Sequence, residues 1–278
     1  MPASKLKNII IFILALAVGF LLLLVIPTKL AQLRDRQSMR GQLTELFSAH
    51  GIRLNGEELP EGQNLTVVEW NDPQGAGAQC AAALLEHAML VEDGSSHYVS
   101  AYSGSNGSCV IGADGSFSAE LRGFAEASDL RADAEKLLRR IGFSCAELSD
   151  PVRVEAGVNL LHATQSILGV PVFSDGLWLR YENGALCAID GCFFCGENAV
   201  VRVGTETCIS CADALTAFLS RREALGWSGS EILSVRQGYR HTDTAAATVR
   251  MTPVWRIETD VGAFYVGGIT REITAIGE

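Results

Sequence analysis

The folding of this 278-residue chain turns on the segment Val170-Pro-Val-Phe-Ser-Asp-Gly-Leu-Trp-Leu-Arg-Tyr-Glu-Asn-Gly-Ala-Leu-Cys-Ala-Ile189. Val170–Phe173, Leu177–Tyr181 and Ala185–Ile189 read as short strands rich in Val, Leu, Ile and aromatic residues, each bounded by turn residues. Asp175-Gly176 and Asn183-Gly184 lie between them as hairpin signals, so the segment predicts an antiparallel meander. Upstream, Leu130, Ala134, Leu137, Leu138 and Ile141 fall on one face of a helix over Asp129–Ile141, with Ser128 as N-cap and Gly142 as stop. Strands at Val152–Glu155 and Asn159–Thr164 join helix to meander.

The same order returns downstream. A helix begins near Cys211, where Ser210 and Asp213 have capping-box spacing, and stops at Gly226. Strands follow at Ile232–Val235, Ala247–Met251, Pro253–Thr259, Ala263–Val266 and Glu272–Ile276. Ala132-Asp133-Ala134 answers Ala212-Asp213-Ala214, and Pro171-Val172 answers Pro253-Val254. Trp178 answers Trp255, and Gly184-Ala185-Leu186 answers Gly262-Ala263-Phe264, at offsets between 77 and 82 residues. The ordered matches suggest a duplication. An earlier, weaker copy runs from a helix at Cys80–Leu90 through strands at His97–Tyr102 and Cys109–Ile111. Units of roughly 50 to 80 residues bury little core alone and are expected to pack side by side.

At the N-terminus Ile9–Ile26 (IIIFILALAVGFLLLLVI) carries no charge and no polar side chain. At about 1.5 Å per residue it is long enough for a bilayer core of roughly 30 Å. A cleaved signal peptide is the competing reading, but Pro27-Thr-Lys-Leu30 follows the run in place of a small-x-small site. Lys5 and Lys7 precede the run, and Lys29, Arg34, Arg36 and Arg40 follow it. The short basic tail favours a cytoplasmic N-terminus with the large domain outside, because large domains translocate largely regardless of charge. The expected fold is therefore α+β: an N-terminal transmembrane helix followed by repeated helix-plus-antiparallel-meander units. Residues 1–28 would be tail and anchor, and 29–78 a juxtamembrane helix and strand. The three units would span 79–128, 129–205 and 206–278. A net charge of −10, spread along the chain, argues against a nucleic-acid partner.

The basic N-tail, single anchor and helix-plus-meander repeats resemble the YycH/YycI-type accessory proteins of bacterial envelope sensor kinases. The closing segment Pro253-Val-Trp-Arg-Ile-Glu-Thr-Asp-Val-Gly-Ala-Phe-Tyr-Val266, then Thr270-Arg-Glu-Ile273, is similar to the end of a PepSY-type module. Arg271 stands where that pattern has Gly, and Gly267-Gly268 where it often has an acidic residue. The resemblance implies a non-catalytic, single-pass regulatory or binding protein of the cell membrane, with its domain extracytoplasmic. Its implied partner is a two-component sensor kinase or a secreted peptidase; the resemblance implies no cofactor and no site residues.

The strongest local spacing is Cys192-x2-Cys195 with Cys208-x2-Cys211, twelve residues apart. Four such thiolates can form a tetrahedral zinc site. Two disulfides outside the cell, or thiols with no site, fit the same spacing. Cys80, Cys109, Cys145 and Cys187 read as core residues. His50, His87, His97, His162 and His241 stand far apart without ligand spacing. No Gly-x-Ser-x-Gly elbow is present, and Gly104-Ser-Asn-Gly107 lacks the Lys-Ser/Thr of a phosphate loop. A regulator or binding protein is thus the first expectation, a four-cysteine metal or thiol module the second, and an envelope hydrolase the last.

Overall fold

Asn183 and Gly184 both adopt positive φ (50° and 85°), the backbone that a two-residue hairpin requires. They join the two strands on which the architecture turns, and the strands around them form one sixteen-stranded sheet. The computed structural model describes Leu14 and residues 37–55, 59–71, 75–92, 99–196, 199–242 and 248–276. Helices are α1 (37–49), α2 (Ala76–Leu84), α3 (Leu130–Arg140) and α4 (Cys211–Ser220). The first eight strands are β1 (Arg53–Leu54), β2 (Thr66–Asn71), β3 (Met89–Glu92), β4 (Val99–Gly104), β5 (Gly107–Gly112), β6 (Ser116–Leu121), β7 (Cys145–Leu148) and β8 (Val152–Glu155). The remainder are β9 (Val158–Ile167), β10 (Val170–Glu182), β11 (Ala185–Cys192), β12 (Val200–Thr207), β13 (Glu231–Thr242), β14 (Thr248–Thr259), β15 (Gly262–Gly267) and β16 (Ile273–Ala275).

The strand path runs β12-β2-β14-β13-β10-β11-β6-β5-β4-β3, with shorter strands flanking it. Strand β10 is the hinge. One edge stays on β9, at Val170–Pro171 and again from Gly176 onward, while the other pairs in parallel with β13 at Val172–Tyr239 and from Leu177 onward with β11. The register slips between Pro171 and Gly176. Asp175-Gly176, expected to turn a hairpin, thus sits at an irregularity that carries one strand from the first sheet half to the second.

Apolar faces decide where the helices lie. Helix α3, capped by the Asp129 side chain on the Ala132 amide (3.1 Å), drives Ala134, Leu137 and Leu138 onto Leu161, Leu177, Leu179 and Tyr181. Helix α4 is capped by Ser210 on the Asp213 amide (3.1 Å). It joins α1 in covering Trp255, Ile257, Phe264 and Val266. A third core fills the join between the halves, with Val68, Trp70, Val172, Phe194, Tyr239 and Met251. Each such side chain contributes about 1.5–3 kcal/mol through apolar burial.

This arrangement corrects the expectation of repeated helix-plus-meander units behind a transmembrane helix. Strands from distant segments share one ladder: β2 inserts between β12 and β14, and β10 reaches β13. Strands are longer than the repeat reading requires, since β9, β10, β13 and β14 run 10, 13, 12 and 12 residues. Among the described residues no helix is long and apolar enough to cross a membrane. The run Ile9–Ile26 lies outside the described residues apart from Leu14. The single-pass membrane protein with an extracytoplasmic domain, whose span rested on the length and apolarity of that run, is accordingly not supported.

The proposed match of Trp178 with Trp255 also fails, and the reason is register. Trp255 is fully buried under α4, whereas Trp178 is 50% exposed. The glycines that end the two strands' turns, Gly184 and Gly262, are 78 residues apart, and that offset places Leu177 on Trp255. A one-residue slip moves a side chain to the other face of the sheet.

Candidate functional site

The four cysteines of the paired motif are distributed over the cores. Cys195 is buried in the first, Cys211 in the second, Cys192 borders the third, and Cys208 touches both the second and the third. Among the described residues no group of three or more His, Cys, Asp or Glu is placed to hold a metal ion. Burial pushes the Cys211 thiol up to about 12 and also raises Cys208. The local causes of the dispersal are β12, a strand between the two pairs, and α4, which begins at Cys211 itself. Cys195 instead shares the first core with Cys80 and Cys109, which no sequence spacing links to it.

Where the two sheet halves meet on the side away from α3 and α4, the chain gathers charge and aromatic rings. Ser234, Arg236 and Arg240 project from β13, and Arg256 and Glu258 from β14, between the inward residues Val235, Tyr239, Trp255 and Ile257. Arg236 and Arg256 are direct cross-strand partners. Like charges opposite one another repel, and Glu258 offsets this by bridging Arg236 at 3.2 Å and Arg256 at 3.0 Å. Glu147 of β7 holds Arg236 from the other sheet half at 2.8 Å. Phe173 lies under both guanidiniums, 5.6 Å from Arg236 and 5.7 Å from Arg256, and stacks on Tyr265 at 6.2 Å.

Burial alone would raise the Glu258 carboxyl. The Ser234 hydroxyl at 2.7 Å, with Arg256 and Arg236, holds it below its ordinary value. Beyond this network Arg240 lies 5.3 Å over Tyr265 and donates to the Thr274 hydroxyl at 3.1 Å. It pairs with no carboxylate among the described residues. On the neighbouring half, the half-exposed Trp178 packs at a tilt of 41° against His162, its direct cross-strand partner, with ring centroids 4.5 Å apart.

Burial holds the His162 imidazole below its ordinary value of 6.5; Glu147 opposes this and Arg256 adds to it. The unfolded chain therefore takes up a proton at His162 before the folded chain does. Stability present above about pH 6.5 is lost as pH falls toward the lower folded value. Thermal unfolding at pH 7.5 and 5.0 is expected to show a smaller acid loss in His162→Gln than in the parent chain. Equal losses would contradict this role.

Ser174, His241 and Asp114 offer the nearest approach to a hydrolytic triad. The Ser174 hydroxyl lies 3.2 Å from His241 Nδ1 and accepts the His241 backbone N–H at 3.0 Å. One oxygen of Asp114, however, is already engaged by the Ser116 amide (2.9 Å) and hydroxyl (2.6 Å). The Ser174–His241 contact continues the parallel β10–β13 register set by Val172 and Tyr239. It is thus a cross-strand link of the sheet.

No family model matches the chain, and no curated protein matches it in sequence. An uncharacterised protein from Eubacterium rectale is similar in structure with 12% identity and a TM-score of 0.45, over 78% of this chain and 86% of its own. The C-terminal domain of Bacillus megaterium YpeB is similar with 9% identity and a TM-score of 0.40, over 78% of this chain and all of that domain. No family model supports the narrower YycH/YycI-type assignment.

Proposed function

We propose that this chain is a non-catalytic binding protein and that the helix-free junction of its sheet halves engages a partner polypeptide. Trp178 carries the reading: a large ring left half exposed, yet packed at a tilt against the His162 ring. Arg240, held over Tyr265 and bonded to Thr274, supplies an oriented cation on the same side of the molecule. Trp and Arg dominate binding hot spots, and side chains already held in place lose less entropy on association.

The test is an array of short peptides of varied charge and aromatic content, probed with the full chain. Trp178→Ala and Arg240→Ala are each expected to weaken the bound peptides by about tenfold or more. An array with no bound peptide, or binding indifferent to both changes, would contradict the proposal.

A further inference from the structure

Three of the eight cysteines converge in the first core from separate elements. Cys80 lies on α2, Cys109 on β5 and Cys195 in the turn after β11, exposed by 3%, 1% and 3% respectively. Within this core the neighbouring Cys195 thiol and burial raise the Cys80 thiol above its ordinary value, burial and Cys195 raise Cys109, and Cys195 points at the Phe193 carbonyl at 3.8 Å. The turn that carries Cys195 fastens two cores together. Phe193 enters the first and Phe194 the third. Trp70 donates its indole N–H to the Cys195 carbonyl at 3.0 Å, and Gln165 holds both backbone groups of Phe194 at 2.9 Å.

The opposite side of this thiol contact is held less firmly. Helix α2 has nine residues, begins at Gly75 without a side-chain cap, and has no acidic residue in its first turn or basic residue in its last. It buries only Cys80, Ala81 and Leu84. The caps on α3 and α4 have no counterpart here, so α2 is the helix expected to open locally and admit a reagent to Cys80.

We propose that Cys80 and Cys195 form a redox pair, oxidised by a low-molecular-weight disulfide to a cross-link that fastens α2 to the Phe193–Gly196 turn. Once α2 opens and Cys80 loses its proton to solvent, its sulfur attacks one sulfur of the incoming disulfide. The first reagent thiolate leaves and a mixed disulfide remains on Cys80. Cys195, as thiolate, then attacks the Cys80 sulfur and expels the second. Two protein thiols give up two electrons and two protons, and the oxidant departs as two thiols. Cys109 stays a thiol. The inference rests on the first core alone and is independent of the binding surface.

The full chain, purified reduced and treated with excess oxidised glutathione, is alkylated and digested at glutamates, which separates Cys80 from Cys109 at Glu86. Mass spectrometry is expected to find Cys80 joined to Cys195, with α2 amides exchanging about tenfold more slowly than in the reduced chain. Cys109→Ser should keep the link, and Cys195→Ser should return α2 exchange to the reduced rate. Three free thiols after oxidation would overturn the proposal, as would Cys195 joined to Cys109, Cys192, Cys208 or Cys211. Zinc that protects Cys195 until a chelator removes it would also overturn it. A Cys80–Cys195 link that leaves α2 exchange unchanged would overturn the fastening. Mapping on the parent chain decides the pairing even where a variant fails to fold.

Discussion

Trp255→Ala is expected to lower the unfolding free energy by about 3–5 kcal/mol, and Trp178→Ala by less than about 1 kcal/mol. Both residues lie on long strands between two neighbours, and the sequence makes them look equivalent. Trp255 is fully buried, packs beneath α4, and donates its indole N–H to the Ile209 carbonyl at 3.0 Å. Alanine there opens a large cavity and strips a partner from a carbonyl just before the α4 cap. Trp178 keeps half its surface in solvent, and alanine there removes its tilted contact with the His162 ring. Denaturant unfolding of the two variants measures the difference directly. Comparable losses would mean that the two rings share an environment, contrary to the register described above.

Gln165→Leu is expected to cost about 2–5 kcal/mol, although it replaces a polar side chain with an apolar one of similar size. Gln165 is 4% exposed and serves one purpose, accepting from the Phe194 N–H and donating to the Phe194 carbonyl, each at 2.9 Å. Leucine leaves both backbone groups buried and unpartnered, and each costs about 1–3 kcal/mol. The damage should centre on the turn at 193–196, where Trp70 meets Phe194 edge-on at 5.4 Å and reports on it through fluorescence. A variant as stable as the parent, with unchanged emission, would show that this turn does not join the first and third cores.

Local features were legible in the sequence where short-range chemistry controls them. The apolar stripe of Leu130, Ala134, Leu137 and Leu138 becomes the buried side of α3, although Asp129 and not Ser128 caps it. The Ser210–Asp213 box opens α4 as expected, and Asn183-Gly184 turns its hairpin. What failed depends on long-range pairing. Nothing local in Asp175-Gly176 distinguishes a hairpin turn from the irregularity at which β10 changes partners. The sequence reading places no strand between the cysteine pairs, yet Val200–Thr207 pairs with β2, a strand well over a hundred residues earlier. The helix expected over Cys80–Leu90 ends at Leu84, and Met89–Glu92 forms an edge strand.

The candidate surface was less legible still. The Arg236–Arg256 pair, the Glu147 bridge and the Phe173 ring come from four strands that only the folded sheet brings together. Cysteine spacing drew attention to Cys192, Cys195, Cys208 and Cys211. The convergence of Cys80, Cys109 and Cys195 follows from tertiary packing and leaves no periodic trace.

The four tryptophans provide a direct test of the binding surface. Trp70, Trp227 and Trp255 are buried, with indole N–H groups bonded to the Cys195 carbonyl, the Thr259 hydroxyl and the Ile209 carbonyl. Trp178 alone is half exposed. In a nitrogen-15 spectrum of the full chain, adding a peptide identified by the array should shift the Trp178 indole resonance and leave the other three in place. A peptide that binds while Trp178 stays fixed would contradict the helix-free junction as the working surface.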